Sequence, residues 1–374
     1  MQKQQIRMTF YDIALKLNWK QLEKEIYSKS ASEVEQALLN PKMDLEDFKS
    51  LISPAAEPYL EKMAVKSREA TQKRFGKTIQ FYIPLYLSNE CINHCIYCGF
   101  SHDNKIHRII LTDEEIKAEV EVIKNMGYEH ILLLTGESPQ HTGIEYIEHA
   151  IQLVMPHFKQ ISLEVQPLSS EDYSRLRKSG LYGVYIYQET YHLERYPYYH
   201  PAGMKKDYRW RIETPDRLAQ AGVHKIGLGA LLGLEDWRVE ALFLATHLRY
   251  MEKTYWRSKY SLSFPRIRPH EGGFQPSFLV PDKHLAQMIW AFRLFDNDVE
   301  ISLTTRESEL FRNNMISLGV TSMSAGSKTE PGGYTKKEEL EQFVTNDNRN
   351  PEQLSTMIRQ HGYEIVWKDW DNFS

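Results

Sequence analysis

Eight short apolar runs, separated by longer amphipathic segments, determine which folds are open to this chain. The segments between the runs, such as 112–127, repeat apolar residues with the period of an α-helix. Strands that alternate with helices and are apolar throughout indicate a parallel sheet covered on both faces, and eight of them close a barrel. The sequence therefore predicts an α/β fold, a (β/α)8 barrel of the TIM type, complete or nearly so. The runs are 80–87, 130–136, 161–167, 183–189, 225–233, 260–267, 300–305 and 321–326.

Two segments flank the predicted barrel, which spans residues 79–329. Residues 1–78 are charged and helical in pattern, and we expect an N-terminal helical extension that caps one end of the barrel. Residues 330–374 begin with a Pro-Gly-Gly turn and then indicate a short helix followed by a strand or loop. Because residues 363–370 are rich in apolar side chains, we expect this C-terminal extension to pack on the barrel.

The composition disfavours several classes of partner. The 46 basic and 50 acidic residues leave a net charge of -4, so the chain carries no field that would attract nucleic acid or an anionic membrane. No apolar run approaches the length of a membrane span, and the N-terminus has no continuous apolar segment of the secretory type. We therefore expect a cytoplasmic protein with no nucleic-acid or membrane partner.

All three cysteines of the chain lie in one eight-residue window. Cys91, Cys95 and Cys98 have C-x3-C-x2-C spacing and follow the first predicted strand, which places them at the catalytic face of a barrel. Three thiolates in one loop can bind three corners of a 4Fe-4S cluster and leave one iron without a protein ligand. One alternative is a structural zinc site with His94 as the fourth ligand, although zinc ligands usually come as two separated pairs. Another is buried cysteines without a ligand, which would have no reason to cluster.

The cysteine spacing is the signature of the radical S-adenosylmethionine (SAM) enzymes, and the chain resembles that superfamily up to about residue 330. The resemblance implies that the open iron binds the amino and carboxylate groups of SAM. It also implies a low-potential electron donor of the flavodoxin or ferredoxin class. Reductive cleavage of SAM then yields methionine and a 5'-deoxyadenosyl radical. The resemblance therefore implies two cofactors, a 4Fe-4S cluster and SAM.

Further positions match SAM-binding elements of that superfamily. Tyr97 precedes the last cysteine, where the superfamily prefers an aromatic residue that contacts adenine. Thr135, Gly136 and Glu137 end the second strand and resemble the Gly-Gly-Glu element that binds the methionine ammonium, although a glycine after a strand is more often just a turn. Arg211 resembles an arginine of biotin synthase that binds the SAM carboxylate, and a guanidinium suits that bidentate contact.

Three polar residues and two leucines complete the predicted SAM-binding set. Glu164 lies in the third strand, and Gln188 and Glu189 close the fourth. A carboxylate buried in an apolar strand needs a partner, so we expect a ligand hydroxyl or a cation beside it, or else an internal ion pair. Leu231 and Leu232 lie in the strand that contacts adenine in the superfamily, and a purely structural role is the alternative.

A narrower resemblance covers almost the whole chain. The motifs are similar to those of the 2-iminoacetate synthase family of thiamine biosynthesis. The resemblance implies a carbon-carbon lyase that cleaves the Cα-Cβ bond of L-tyrosine to 2-iminoacetate (dehydroglycine) and p-cresol, with thiazole synthase as a partner. A tryptophan lyase and a zinc-stabilised scaffold of a biosynthetic complex are the alternatives. The motifs include "LTGE", "EVQPL", "YQETYH", "SFPRIRP", "LTTRES", "SAGSKTEPGGY" and "VWKDWD".

An amino-acid substrate needs an anchor for its carboxylate. Arg306 ends the seventh strand and Ser324 lies in the eighth, so a forked guanidinium and a hydroxyl would hold the carboxylate and leave the amino group free to react. Tyr86 resembles a site tyrosine of the tryptophan lyase. The alternatives are that Arg306 pairs with Glu307 or the sheet rim and that Tyr86 belongs to the core. No cysteine follows Cys98, which argues against the second cluster of the related hydrogenase-maturation lyase.

Overall fold

A closed barrel of parallel strands forms the centre of the protein. The computed structural model describes residues 8–335 and 340–368. In sheet order β2 to β8 follow one another, and β1 pairs with both β8 and β2, so the ring closes and the predicted eight-stranded barrel is confirmed. The strands are β1 (Thr78–Ser88), β2 (His130–Thr135), β3 (Gln160–Glu164), β4 (Leu181–Tyr185), β5 (Lys225–Gly229), β6 (Lys259–Ser263), β7 (Glu300–Leu303), β8 (Ser322–Ser324) and β9 (Glu364–Val366).

Strand β1 closes the ring because it is long enough to serve three neighbours. Its residues 83–88 pair with β2, residues 80–82 pair with β8, and residues 78–80 pair with β9 from the C-terminal extension. A register irregularity between Tyr86 and Ser88 bends the strand as it enters the cysteine loop. The C-terminal extension is thereby hydrogen-bonded into the same sheet as the barrel.

Helices cover the outside of the barrel. The helix that begins at Asp113 has a capping box: Thr112 accepts from the backbone N–H of Glu115, and the Glu115 carboxylate accepts from the backbone N–H of Thr112. Two 3-10 helices span Pro54–Tyr59 and Met204–Lys206. The α-helices are α1 (Phe10–Ala14), α2 (Trp19–Tyr27), α3 (Ala31–Leu39), α4 (Leu45–Ile52), α5 (Leu60–Phe75), α6 (Asp113–Asn125), α7 (Ile144–Val154), α8 (Ser170–Lys178), α9 (Tyr196–Tyr199), α10 (Tyr208–Ile212), α11 (Thr214–Gln220), α12 (Trp237–Thr254), α13 (Asp282–Phe295), α14 (Glu309–Met315) and α15 (Pro351–Gln360).

The N-terminal helices pack on the flank of the barrel. The ring of Phe48 in α4 lies 4.8 Å from that of Phe292 and 5.0 Å from that of Phe295, both in α13. The Nε–H of Arg238 in α12 donates to the carbonyl of Ile52 at 2.9 Å. The expected cap on one end of the barrel is therefore corrected to a lateral contact, because the outer faces of α12 and α13 are themselves apolar and need cover.

The C-terminal extension forms α15 and β9, which matches the pattern expected from the sequence. The indole ring of Trp367 lies edge-on to Phe81 and Tyr128 at 5.3 and 5.4 Å. Residues 369–371 of the "VWKDWD" motif lie outside the described residues. The division of the chain after residues 78 and 329 stays a prediction. None of the described helices is long and apolar enough to cross a membrane.

Alternation along the strands separates the core from the space inside the barrel. In β2, Ile131 and Leu133 belong to the main apolar core, whereas Leu132 and Leu134 line a cavity in the barrel interior. Successive side chains of a strand point to opposite faces, so a fully apolar strand supplies both surfaces. The same strands that hold the barrel together therefore form the wall of the candidate site.

Candidate functional site

A cavity opens among the carboxyl ends of the strands. It holds about 1530 Å³ of empty space, the open mouth included. Fourteen residues predicted as site residues line it: Tyr86, Cys91, Cys95, Tyr97, Cys98, Thr135, Gly136, Glu137, Glu164, Glu189, Arg211, Leu231, Arg306 and Ser324.

Two predicted site residues, Gln188 and Leu232, do not line the cavity. Leu232 packs in the main apolar core, and Gln188 is buried with its backbone N–H on the carbonyl of Gly229 at 3.1 Å. The neighbour of Leu232 in the chain, Leu231, does line the cavity, and so does the neighbour of Gln188, Glu189. Within each pair, one side chain faces the cavity and the other is buried away from it. This corrects the expectation that both members of each pair contact the cofactor.

The three cysteines share the cavity wall. Cys91 and Cys95 are buried and Cys98 is partly buried. Burial is the largest cause that raises the pKa of the Cys91 thiol, to about 11, and burial also raises the pKa values of the Cys95 and Cys98 thiols. Buried thiols of this kind ionise when a cation stabilises the thiolates. The donor set therefore suits a metal group that carries substantial positive charge.

The geometry does not favour a single zinc ion. The Nδ1 atom of His94 lies 2.8 Å from a carboxylate oxygen of Asp103, so the imidazole has a partner other than the thiols. Among the residues that the structure describes, no three side chains of the His, Cys, Asp and Glu types converge on one metal-ion position. Thiolates are the usual ligands of iron-sulfur clusters, and all three thiols line one cavity, so this donor set fits the cluster.

A network of buried charges lies beside the cysteines. Arg211 donates to Glu137 at 2.9 Å and lies 3.4 Å from Glu189. Lys205 contacts the same Glu189 carboxylate oxygen at 2.6 Å, and the side-chain amide of Asn93 donates to Glu137 at 2.8 Å. The sequence analysis missed Lys205 and Asn93. The network alternates two carboxylates with two cations, which is the complement of a zwitterionic amino-acid group.

Pairing keeps the Glu137 carboxyl ionised despite its burial. Burial opposes the ionisation of Glu137, but the charges of Arg211 and Lys205 outweigh it and lower the pKa of the Glu137 carboxyl. Glu189 has a φ of 69°, in the left-handed region that side-chain-bearing residues rarely adopt. Such strain persists where the surroundings over-determine it, commonly at ligand sites. The network is therefore a rigid set of fixed charges.

The Thr135-Gly136-Glu137 element is held against the cysteine loop. The N–H of Gly136 donates to the carbonyl of Ser88 at 2.8 Å. A Cβ on Gly136 would overlap the carbonyl oxygen of Glu90, so this close approach requires glycine. The buried hydroxyl of Thr135 has no hydrogen-bond partner in the described part of the chain. An unsatisfied buried hydroxyl in a cavity wall is a candidate ligand contact.

The cavity wall also contains Arg306, Ser324 and Tyr86. Arg306 donates to the carbonyl of Arg266 at 3.3 Å, and its guanidinium lies 3.3 Å from the ring centroid of Phe343. Glu307, the alternative partner considered for Arg306, instead pairs with Arg266 and Arg268. The guanidinium therefore keeps donors available to a ligand.

Two cavity residues from the C-terminal extension, Gln342 and Phe343, were missed by the sequence analysis. The Tyr86 hydroxyl donates to the Gln342 side-chain carbonyl at 2.8 Å. Residues 340–350 carry no periodic pattern and no chemical motif, so nothing in the sequence alone indicates that they reach the cavity.

Glu164 lies in the cavity wall with a perturbed ionisation. Burial, helped by the charge of Glu189, raises the pKa of the Glu164 carboxyl to about 7. The unfolded chain loses this proton near pH 4.5 and the folded chain near pH 7. Between these pH values the folded state binds a proton that the unfolded state has lost. The free energy of unfolding therefore falls as the pH rises through this range.

We therefore expect Glu164→Gln to gain stability relative to the unmodified protein between pH 5 and pH 8. The gain is on the order of 3 kcal/mol at about 1.36 kcal/mol per pKa unit. Urea unfolding of the cluster-free protein at the two pH values measures it. Glu23→Gln, at an exposed position of α2, is the matched control and should show no such pH-dependent gain. An equal pH dependence of stability in the two variants would contradict the raised pKa of the Glu164 carboxyl.

Comparison with known proteins places the chain in a family. The model of the radical SAM superfamily matches residues 85–245, and that of the biotin and thiamin synthesis associated domain matches residues 263–364. This chain is 46% identical to the 2-iminoacetate synthases of Escherichia coli (strain K12) and Salmonella typhimurium. Each alignment covers 98% of this chain and 97% of the relative. The chain belongs to the 2-iminoacetate synthase family. The resemblance drawn from the sequence motifs is thus confirmed.

Solved structures support the same placement of this 2-iminoacetate synthase family member. The FeFe-hydrogenase maturase HydG from Carboxydothermus hydrogenoformans is 30% identical, with a TM-score of 0.86 over 96% of this chain and 83% of that one. Methylornithine synthase, at 18% identity and a TM-score of 0.73 over 89% of this chain and 97% of its own, shows the shared fold. The chain is a radical SAM enzyme of the lyase type, and its superfamily implies SAM and a 4Fe-4S cluster.

Proposed function

We propose that the protein cleaves the Cα-Cβ bond of L-tyrosine to 2-iminoacetate and p-cresol, converting SAM to methionine and 5'-deoxyadenosine. The observation that carries the proposal is the 46% identity to 2-iminoacetate synthases over nearly the full length of both chains. The product would serve the thiazole ring of thiamine in the cytoplasm. Its partners would be thiazole synthase and a low-potential electron donor of the flavodoxin or ferredoxin class.

One half of the cavity would hold the cofactors. Cys91, Cys95 and Cys98 would bind the cluster, because they are the three cysteines of the chain and all line the cavity. Loaded with cluster and SAM, this half supplies a primary carbon radical for hydrogen abstraction. The contribution of the protein is to bind SAM in one orientation and to exclude water from the site.

The charged network would orient SAM. Glu137 and Glu189, which pair with Arg211, would bind the ammonium group through their carboxylates, and the Arg211 guanidinium would bind the carboxylate of SAM. Lys205 holds Glu189 in place at 2.6 Å. Tyr97 packs with Leu231 and Cys95 in one apolar cluster, which suits the flat face of adenine.

The other half would hold tyrosine. Arg306 and the Ser324 hydroxyl would bind the substrate carboxylate, which fixes the amino group relative to the SAM-binding half. The aromatic ring would pack on an apolar wall that includes Phe100, Leu132 and Leu134. Binding both ends of the substrate before reaction replaces a random encounter by a fixed geometry, which lowers the entropic part of the barrier.

An anaerobic product assay tests the proposal. The protein is reconstituted with iron and sulfide, reduced, and incubated with SAM and either tyrosine or tryptophan. We expect about four irons per chain. We also expect p-cresol with tyrosine, formed together with 5'-deoxyadenosine. Formation of 3-methylindole from tryptophan without p-cresol from tyrosine would instead indicate the tryptophan lyase. One bound zinc and no product would indicate the scaffold.

A further inference from the structure

Residues 341–349, which we term the mouth segment, lie across the open end of the barrel. The N–H of Val344 donates to the carbonyl of Pro269 at 3.0 Å, and the N–H of Asn346 donates to that of Thr305 at 2.9 Å. Asp347 forms a fully buried ion pair with Arg312 of α14. These contacts join the mouth segment to the loops that follow β6 and β7. The segment is therefore a fixed part of the cavity wall.

Gln342 of the mouth segment contacts both Cys98 and Tyr86. Its side-chain N–H donates to the Cys98 sulfur at an Nε2-to-Sγ distance of 3.7 Å. Its side-chain carbonyl accepts from the Tyr86 hydroxyl at 2.8 Å. A side chain on Gly99 would overlap the Gln342 carbonyl oxygen of the backbone, so the glycine permits the close approach.

The orientation of the amide follows from the chemistry of its two partners. A thiolate accepts hydrogen bonds and donates none, so the Gln342 nitrogen must face Cys98. Hydrogen bonds to the sulfurs of an iron-sulfur cluster stabilise the more negative, reduced state and tune the reduction potential. The side-chain carbonyl is then left to hold the Tyr86 hydroxyl.

We infer that Gln342 is a positioning residue with two roles: it raises the reduction potential of the cluster through Cys98, and it fixes Tyr86 at the substrate side. The inference rests on the part of the proposed function in which Cys98 binds the cluster, and it does not depend on the identity of the substrate. The C-terminal extension thereby contributes to the electron-transfer step as well as to the shape of the cavity.

Three variants separate the contact with Cys98, which should set the potential, from the contact with Tyr86, which should not. Gln342→Met keeps the length of the side chain and removes both hydrogen bonds. Gln342→Glu keeps an acceptor for Tyr86 but places an oxygen at Cys98. Tyr86→Phe removes the phenol and leaves the amide on the sulfur. Gln36→Met, at an exposed position of α3, is the matched control. Each variant is reconstituted anaerobically, and its iron content is measured before use.

The readout is the midpoint potential of the loaded cluster, measured by redox titration with electron paramagnetic resonance in the absence of any amino acid. We expect Gln342→Met to disfavour the reduced cluster roughly tenfold, which is about 59 mV for one electron. Gln342→Glu should shift the potential in the same direction at least as far. Tyr86→Phe and Gln36→Met should keep the potential of the unmodified protein.

An unchanged potential in Gln342→Met at full iron content would overturn the inference, even if the variant were less stable. If Gln342→Met does not bind the cluster, the potential of Gln342→Glu tests the inference instead, because this variant preserves the shape of the side chain. A lower potential in Tyr86→Phe equal to that in Gln342→Met would also overturn it. Because no substrate is present, the result is independent of whether the protein forms p-cresol.

Discussion

Cys95→Ala is expected to reduce the formation of 5'-deoxyadenosine by at least about 10³-fold, because the cluster loses one of its three protein ligands. The chain contains no fourth cysteine to replace it. The measurement is an anaerobic incubation of the reconstituted variant with SAM and reductant, with iron content and 5'-deoxyadenosine determined on the same sample. Cys91→Ala and Cys98→Ala should behave in the same way.

His94→Ala is the control that separates the cluster from a zinc site. The imidazole of His94 interacts with Asp103 near the surface of the loop, so its loss should leave iron binding and 5'-deoxyadenosine formation close to those of the unmodified protein. A Cys3His zinc site requires the opposite, because loss of a ligand weakens metal binding strongly. Retained activity in all three cysteine variants would rule out the cluster assignment.

Arg306→Ala is expected to lower kcat/KM for tyrosine by about 10²–10³-fold, since removal of one partner of a buried charge pair costs about 2–5 kcal/mol. The guanidinium lines the cavity next to the Phe343 ring, where it has few protein acceptors of its own. Arg306→Lys should recover only part of the loss, because an ammonium keeps the charge but not the fork. Steady-state assays of p-cresol formation measure both variants.

Inhibitors with and without a carboxylate identify what Arg306 binds. If the guanidinium binds the carboxylate of the substrate, the inhibition constant of 3-(4-hydroxyphenyl)propionate should rise in Arg306→Ala, whereas that of tyramine should not. Arg359→Ala, at an exposed position of α15, is the matched control for loss of an arginine. Equal increases in the inhibition constants of both compounds would show that Arg306 affects the charge of the cavity in general and does not bind the carboxylate.

The barrel was predictable from the sequence because strands covered on both faces must be apolar throughout, and few other segments of a chain are. The strand ends were less predictable. The run 183–189 was expected as strand, whereas β4 ends at Tyr185. Beyond it, isolated contacts such as the Gln188 N–H on the Gly229 carbonyl continue the pairing toward β5 while the backbone turns into the cavity wall. In the sequence, apolar residues that line a cavity cannot be distinguished from apolar residues that are hydrogen-bonded within a sheet.

The candidate site was predictable where a residue type and its spacing carry chemistry, as in the cysteine loop. Lys205 and Gln342 were not predictable on this basis. Lys205 lies in the short 3-10 helix Met204–Lys206 after α9 and pairs with Glu189, and Gln342 contacts Cys98 from the far end of the chain. Their roles depend on contacts between distant segments, and a single sequence contains no signal for such contacts.

The pairing of β1 with β8 also bears on the synthesis of the protein. The ring closes only when Ser324 becomes available to Tyr82, and the three thiols precede it by roughly 230 residues. At the usual rate of about 5–20 residues per second, the ribosome needs roughly 10–45 s to make that stretch. During this interval the nascent cysteine loop is open to oxidants and to stray metal ions, so growth without oxygen and with well-controlled metal levels favours an intact product.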